Sequence, residues 1–112
     1  MKLTARQREG VSIIEPKGKI TIGKGDIALR DAVQEALKAG SKNILINLKK
    51  ATRIDSSGMG ELICAYTSVT NRGGKLKLLN LPSSIQDVLG ITQLITVFDV
   101  FDDEEEALAS YR

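Results

Sequence analysis

The chain has 112 residues, of which 42% are hydrophobic, so we expect one core and one domain spanning residues 1–112. Its net charge is only +2, and it has two Phe, two Tyr and no Trp, which argues against a nucleic-acid-binding surface. No apolar stretch approaches the roughly 20 residues of a membrane-spanning helix. The first residues turn polar at once and the single Cys cannot form an internal disulfide, so we expect no secretory signal and a cytoplasmic location.

The first part of the chain has the pattern of a β-hairpin. Residues Leu3–Arg8 alternate weakly, Val11–Ile14 are mostly β-branched, and Glu9-Gly10 between them is typical of a turn. Pro16-Lys17-Gly18 is expected to end or bend the second strand, because Pro cannot donate a ladder hydrogen bond. A short extended segment, Ile20–Ile22, is predicted after it.

A helix and a buried strand are predicted next. Asp26, after the loop Gly23-Lys24-Gly25, is expected to be the N-cap, and Gly40 is expected just beyond the helix end. Ile44–Leu48 is almost entirely apolar, which is typical of a strand covered on both faces. The apolar residues of the helix recur at helical spacing: Leu29, Ala32, Val33, Ala36 and Leu37.

The second half continues the alternation of helices and strands. A second helix ends at Gly73-Gly74, a strand is predicted at Leu76–Leu79, and a short helix covers Pro82–Gly90. Val97–Val100 is predicted as the last strand. The acidic run Asp102–Glu106 is expected to open the last helix, where it favours the positive end of the dipole, and not to be a functional site. The second helix has an apolar stripe of Met59, Leu62, Ile63, Tyr66 and Val69.

This order of elements predicts an α/β fold. Strands that alternate with helices favour parallel neighbours joined by right-handed crossovers. The opening hairpin makes the sheet mixed. We therefore expect a mixed, largely parallel sheet of about four to five strands with about four helices.

The most informative segment follows the predicted strand Ile44–Leu48 and reads Ile54-Asp55-Ser56-Ser57-Gly58-Met59-Gly60-Glu61-Leu62. It opens the second helical pattern, so two adjacent hydroxyls lie where a helix begins. Free N–H groups at a helix start attract anions, so the fold would tolerate a phosphate there while the surface charge changed. Helix capping also accounts for a serine at this place, and periodicity alone favours capping. Capping does not, however, need Asp-Ser-Ser followed by two glycines.

A resemblance to a known family rests on three segments that stand in the expected order. They are residues 55–60, the stretch Gly73–Leu79 after the second helix, and the closing stretch Phe98–Leu108. Over nearly its whole length the chain resembles STAS-domain proteins of the anti-sigma factor antagonist type. The resemblance implies a single STAS-like α/β domain.

The resemblance also implies roles for single residues. In that family the first serine of the Asp-Ser-Ser-Gly unit accepts a phosphate from a partner kinase, which implies that Ser56 is the phosphorylation site. Asp55 is expected to support this site, and Ser57 is expected to be the structural cap. The partner-binding face is expected to combine the loop before Ser56, the first turns of the second helix and residues 18–26. Phosphosite support and partner binding are expected to involve Asp55, Ser57, Gly58, Met59 and Gly60.

The implied function is a switch. The unphosphorylated protein would bind an anti-sigma factor that is also a serine kinase, and this would release the sigma factor. Phosphorylation of Ser56 would end the binding, and a serine phosphatase would restore it. No cofactor is implied for this chain, because ATP would belong to the kinase. The family tends to have an acidic segment after the glycine equivalent to Gly18, whereas this chain has the basic and apolar Lys19-Ile20-Thr21-Ile22, so the identity of the partner stays open.

Two other classes of function are possible for this sequence: a ligand-binding or transporter-associated module, and a small hydrolase. A ligand-binding or transporter-associated STAS module, such as a partner of a lipid transporter, would need no phosphoacceptor. A small hydrolase would need Ser56 and Lys49 or Lys50, since the absence of His excludes Ser-His-Asp and Cys-His arrangements. We therefore expect a protein that is not an enzyme.

A metal site and a phosphate-binding loop have weak support in the sequence. One thiol and no His cannot build a zinc site, and Cys64 is expected to be partly buried in the second helix. The loop Gly23-Lys24-Gly25 lacks the spacing of a phosphate-binding P-loop, so a flexible turn before the first helix is the stronger interpretation.

Overall fold

The apolar runs of the sequence lie in a mixed sheet that packs against helices. The computed structural model describes residues 2–93 and 96–112, and these contain six strands and four helices. The strands are β1 (Lys2–Arg8), β2 (Val11–Ile20), β3 (Asn43–Asn47), β4 (Ala51–Ile54), β5 (Leu76–Leu79) and β6 (Val100–Phe101). The helices are α1 (Gly25–Lys38), α2 (Ser56–Asn71), α3 (Ser83–Ile91) and α4 (Glu104–Ala109).

The sheet is mostly parallel, as predicted. Its order is β1-β2-β3-β5-β6, with β4 paired to the far part of β2. Only the β1–β2 pair is antiparallel among the described strands. The predicted hairpin is confirmed, and both turn residues, Glu9 and Gly10, have positive φ, which matches the twist of the flanking strands.

Two clusters of apolar side chains cover the two faces of the sheet. The larger one joins even-numbered residues of β2 and β3, such as Ile14 and Ile46, to helices α1, α2 and α3. The smaller one joins Ile13 and Leu45 to helix α4. Strand β3 is therefore buried on both faces, which explains why its sequence is almost continuously apolar.

Strand β2 is longer than predicted. Pro16 does not end it, because this residue lies between the β2–β3 ladder, which stops at Ile14, and the β2–β4 ladder, which starts at Gly18. The missing N–H therefore removes no hydrogen bond on the parallel side of the strand. The strand is instead irregular between Gly18 and Lys19, and Gly18 has a φ of +105°.

Four other element boundaries differ from the predictions. Strand β4 was not predicted, because only Ala51 and Ile54 at its two ends are buried. Helix α1 begins at Gly25, so Asp26 lies in its first turn and is not the N-cap. Helix α3 continues through Gly90 to Ile91. The last strand is Val100–Phe101, whereas Phe98 is buried against the ring of Tyr66, at a centroid distance of 5.6 Å.

The ends of helices α1 and α4 agree with the sequence. Gly40 has a φ of +93° and follows the last turn of α1, as predicted. The side chain of Asp103 accepts a hydrogen bond from the N–H of Glu106 at 3.0 Å and caps helix α4. Acidic residues of this helix also form ion pairs with Arg6 and Arg8 of β1, so the acidic segment fastens α4 to the hairpin. These ion pairs hold the pKa of Glu104 below its usual range, chiefly through the hydrogen bond from Arg6.

None of the helices in residues 2–93 and 96–112 is long and apolar enough to cross a membrane.

A buried lysine holds the carboxyl-terminal residues on the sheet. The side chain of Lys77, in β5, is only 8% exposed, and its Nζ donates hydrogen bonds to the Oγ of Ser110 at 2.9 Å and to its carbonyl at 3.2 Å. The ammonium also lies 4.8 Å from the centre of the Tyr111 ring, a cation–π distance. The hydroxyl of Tyr111 in turn donates to the carbonyl of Ile44, and burial raises the pKa of this hydroxyl.

Replacing Lys77 by Ala should lower the free energy of unfolding by about 1–3 kcal/mol, because the half-buried Ser110 loses the donor to its carbonyl and hydroxyl oxygens. The matched control is Lys75→Ala, two residues earlier on an exposed side chain, which should change it by less than about 0.5 kcal/mol. Urea denaturation of the two variants measures the difference. Equal effects of the two substitutions would contradict the assigned role of Lys77.

Candidate functional site

The carboxyl ends of two parallel strands, β2 and β4, meet at one edge of the sheet. Their register pairs Ile20 with Ile54 as the last residues of the two strands. The loop into α1 follows β2, and α2 follows β4 after a single residue, Asp55. In open α/β sheets this edge is where functional sites lie. The Asp-Ser-Ser segment is therefore at the expected edge.

The carboxylate of Asp55 joins the two loops at this edge. One oxygen, Oδ1, accepts a hydrogen bond from the N–H of Gly58 at 2.9 Å and caps helix α2. The other, Oδ2, accepts one from the N–H of Ile22 at 2.9 Å, in the loop after β2. Asp55 is thus the cap, and the prediction that Ser57 is the cap is wrong. A carboxylate has two oxygens for two donors, and Ser57 is already the second residue of the helix.

These hydrogen bonds have a consequence for pH dependence. They hold the pKa of Asp55 below its usual value, with the N–H of Gly58 as the largest cause and that of Ile22 as the next. The charged form is therefore the one that stabilises the fold. Its contribution is complete above the pKa of the unfolded chain and is lost as the pH falls through the lower pKa of the folded protein.

Ser56 and Ser57 are the first two residues of α2. Ser56 is exposed and Ser57 is half-buried. In the described part of the chain neither hydroxyl takes part in the side-chain hydrogen bonds around the helix start, where Asp55 binds backbone N–H groups instead. The Ser56 hydroxyl is therefore accessible to another protein.

The structure does not bring Ser56 together with the lysines considered for a hydrolase. Lys49 and Lys50 are exposed and precede β4, so the whole strand separates them from Ser56. Four strand residues span about 13 Å. Lys50 instead lies 3.5 Å from the carboxylate of Glu15. Both lysines are surface charges.

Two glycines let both helices approach the end of β2. A Cβ atom on Gly58 would lie 2.1 Å from the carbonyl oxygen of Ile20, and one on Gly25 would lie 2.1 Å from that of Lys19. No side chain fits at either position. A Cβ on Gly60, one residue after Met59, would meet nothing within 4 Å. The two glycines of the motif therefore differ: Gly58 is needed for packing, and Gly60 is not.

The predicted contact residue Met59 points inward. Met59 is only 7% exposed and belongs to the larger apolar cluster. Its sulfur lies 4.0 Å from the hydroxyl oxygen of Thr92. Met59 is therefore a core residue and not a surface contact for a partner, and Met59→Glu would bury a charge and destabilise the fold. The periodicity had already placed Met59 on the apolar stripe of α2.

Other side chains at this edge were not predicted as surface features. Ile22 is 75% exposed next to Asp55, and Ile91 is 83% exposed at the end of α3. A single exposed apolar residue in a loop or at a helix end gives no periodic signal. Cys64 is exposed, contrary to the prediction of partial burial.

A cleft of about 840 Å³ lies along the loop from Gly18 to Gly25. Its lining includes Lys2, Lys17, Lys19 and Lys24. The N–H of Gly23 in this loop is bound by the carboxylate of Asp26 at 3.0 Å. This amide is therefore not free to bind a phosphate, which agrees with the interpretation of the loop as a turn.

The sequence profile of the STAS domain matches residues 2–107. The chain belongs to the STAS domain family. Among its relatives, the anti-sigma F factor antagonist of Paenibacillus polymyxa is 20% identical over 108 residues, which are 96% of this chain and 92% of that protein. The predicted family and fold class are thus confirmed.

Solved structures share this fold. A Thermotoga maritima protein, provisionally described as an anti-sigma factor antagonist, superposes with a TM-score of 0.90 at 22% identity, over 98% of this chain and 94% of that one. The phosphorylated form of Bacillus SpoIIAA superposes with a TM-score of 0.76 at 20% identity, over 99% of this chain and all of that one. The unphosphorylated form of SpoIIAA is described as an anti-sigma factor antagonist. At these identities the likeness concerns the fold alone.

The two glycines of the motif give a matched pair of variants. Gly58→Ala should destabilise the protein by about 2 kcal/mol or more, because overpacking forces the backbone of β2 or α2 to move. Gly60→Ala, in the same helix with open space around it, should stabilise it by about 0.5–1 kcal/mol. Thermal unfolding of both variants measures the difference. A Gly58→Ala protein as stable as Gly60→Ala would refute the packing described for this junction.

Proposed function

We propose that this STAS domain acts as an anti-sigma factor antagonist in a partner-switching system. In its unphosphorylated form it binds an anti-sigma factor that is also a serine kinase. The kinase transfers the terminal phosphate of ATP to the hydroxyl of Ser56, and a serine phosphatase removes it. The observation that carries the proposal is the exposed, unbonded hydroxyl of Ser56 at the start of a helix fixed by Asp55. The names of the relatives support the same role.

The choice of Ser56 over Ser57 follows from their exposure. Ser56 is exposed, whereas Ser57 is half-buried at the next position of the helix. A kinase must enclose the hydroxyl that it phosphorylates, so the exposed side chain is the better acceptor. The roles of the neighbouring residues follow from their contacts: Asp55 fixes the helix start, and Gly58 and Met59 hold it to the core.

The partner surface that we propose surrounds Ser56. It comprises Ser56, Ser57 and Gly60 on α2 together with residues 18–26, which run from the end of β2 to the start of α1. The hydrogen bond between Asp55 and the N–H of Ile22 joins these two parts at 2.9 Å. They can therefore be contacted together by one partner.

A phosphate on Ser56 would change the surface more than the fold. It adds a charge of roughly −1.5 to −2 at neutral pH. The helix dipole at the start of α2 favours a negative charge there. Binding would be lost through repulsion and through the cost of removing the phosphate from water in the interface. A loss of about 3 kcal/mol already weakens binding more than a hundredfold.

The binding of Ser56 variants to a host serine kinase tests the proposal. The kinase is the one that adds a single phosphate to the wild-type protein, as shown by intact-mass analysis. Ser56→Ala should bind this kinase with the affinity of the wild type and should not be released by ATP. Ser56→Asp should bind about a hundredfold more weakly while its melting temperature stays close to that of the wild type.

The matched control is Ser83→Asp. Ser83 is also an exposed first residue of a helix, α3, so the substitution adds the same charge at another helix start. The Ser83→Asp variant should bind the kinase with the affinity of the wild type. Binding of Ser56→Asp at wild-type strength, or the absence of any host kinase that phosphorylates the protein, would contradict the proposal. A transporter-associated role predicts both of those outcomes.

A further inference from the structure

Five exposed cations gather beside the proposed phosphorylation site. We call them the cationic face: Lys2 on β1, Lys17 and Lys19 on β2, Lys24 in the loop before α1, and Arg53 on β4. Four of them line the cleft along Gly18–Gly25. Arg53 is the register partner of Lys19 on the neighbouring strand, which extends the group to β4.

The arrangement of these cations does not serve the stability of the fold. Lys2 lies directly opposite Lys17 in the β1–β2 ladder, and Lys19 lies opposite Arg53 in the β2–β4 ladder. Like charges that face each other across strands destabilise a sheet. Within residues 2–93 and 96–112, none of the five cations is in an ion pair. Those ion pairs use other cations instead: Arg6, Arg8, Arg30, Lys50, Lys77 and Arg112.

The cationic face is continuous with the helix that carries Ser56. Arg53 precedes Ser56 by three residues, and Lys24 follows Ile22, whose N–H is bound by Asp55. The side chain of Ile22, at 75% exposure, is a single apolar residue among these charges. An acidic peptide segment with one apolar side chain is complementary to such a surface. Nucleic acids fit less well, because no aromatic residue lies among these positions to stack on a base.

We propose that the cationic face, with Ile22 as its apolar contact, binds an acidic segment of the anti-sigma kinase. This inference rests on the proposed function, and it names the chemistry of the partner surface. Complementary charges accelerate association and select the partner. A phosphate on Ser56 then acts on the same attraction, because it offsets up to about two of the five positive charges and repels the acidic segment directly.

The test compares two double variants with the same change in net charge. Lys17→Glu with Lys19→Glu reverses the centre of the cationic face. Lys42→Glu with Lys75→Glu reverses two exposed lysines that directly precede β3 and β5, at the opposite ends of the parallel strands. The probe is the purified host kinase that phosphorylates Ser56, and association and dissociation rates are measured at low and high salt.

The first double variant should bind about tenfold to a hundredfold more weakly than the wild type, mainly through slower association, and with less salt dependence. The control should stay within about twofold of the wild type. Reversing the acidic residues of the kinase segment should restore binding to the first variant. Both double variants should fold, because all four lysines are exposed and the first substitution removes like-charge pairs.

Several results would overturn the inference. If the first double variant bound the kinase with wild-type affinity, the inference about the cationic face would be wrong. The proposed phosphorylation of Ser56 would not be affected by that result. Equal losses in both double variants would show a long-range charge effect without a specific surface. Unchanged kinase binding together with lysine-dependent binding of duplex DNA or of anionic lipid vesicles would assign the face to another class of partner. If no host kinase bound the wild type, both proposals would fail.

Discussion

The site depends on one carboxylate with two hydrogen bonds. Asp55 accepts the N–H of Gly58 on one oxygen and the N–H of Ile22 on the other, both at 2.9 Å. The first bond starts helix α2, and the second ties the loop after β2 to that helix. The bridge adds to the β2–β4 ladder and to the packing of Gly58 on Ile20 in fixing the loop relative to Ser56. These hydrogen bonds hold the pKa of Asp55 below its usual value, so the charged carboxylate is the form that the fold favours.

At the start of α2, some residues pack into the fold and their neighbour Ser56 is exposed to solvent. Gly58 approaches the carbonyl of Ile20 so closely that a side chain would not fit, and Met59 enters the core. Ser56, on the exposed side of the same turn, contributes little to packing. A change of charge on Ser56 can therefore alter binding without the loss of the fold. The proposed switch needs this separation, because it changes the charge of the surface while the fold keeps one shape.

The parts of the fold that were predictable are those in which burial dictates the sequence. Strand β3 and the stripes of α1 and α2 are apolar because a core covers them, and Gly40 supplies a positive φ after α1. Strand β4 was missed because Thr52 and Arg53 are exposed on a short strand. The cap was misassigned because Asp and Ser are both preferred N-caps, and periodicity does not say which residue is the first of the helix. The cationic face combines residues from three strands and one loop, and sequence alone does not show the strand register that brings four of them together.

The most direct measurement is the position of the phosphate on the wild-type protein. After incubation with the host kinase that binds it, the protein should be digested and its phosphopeptides sequenced by mass spectrometry. The account predicts phosphate on Ser56 and none on Ser57, because the first hydroxyl is exposed and the second is half-buried. Phosphate on Ser57, or on a serine away from the start of α2, would contradict it.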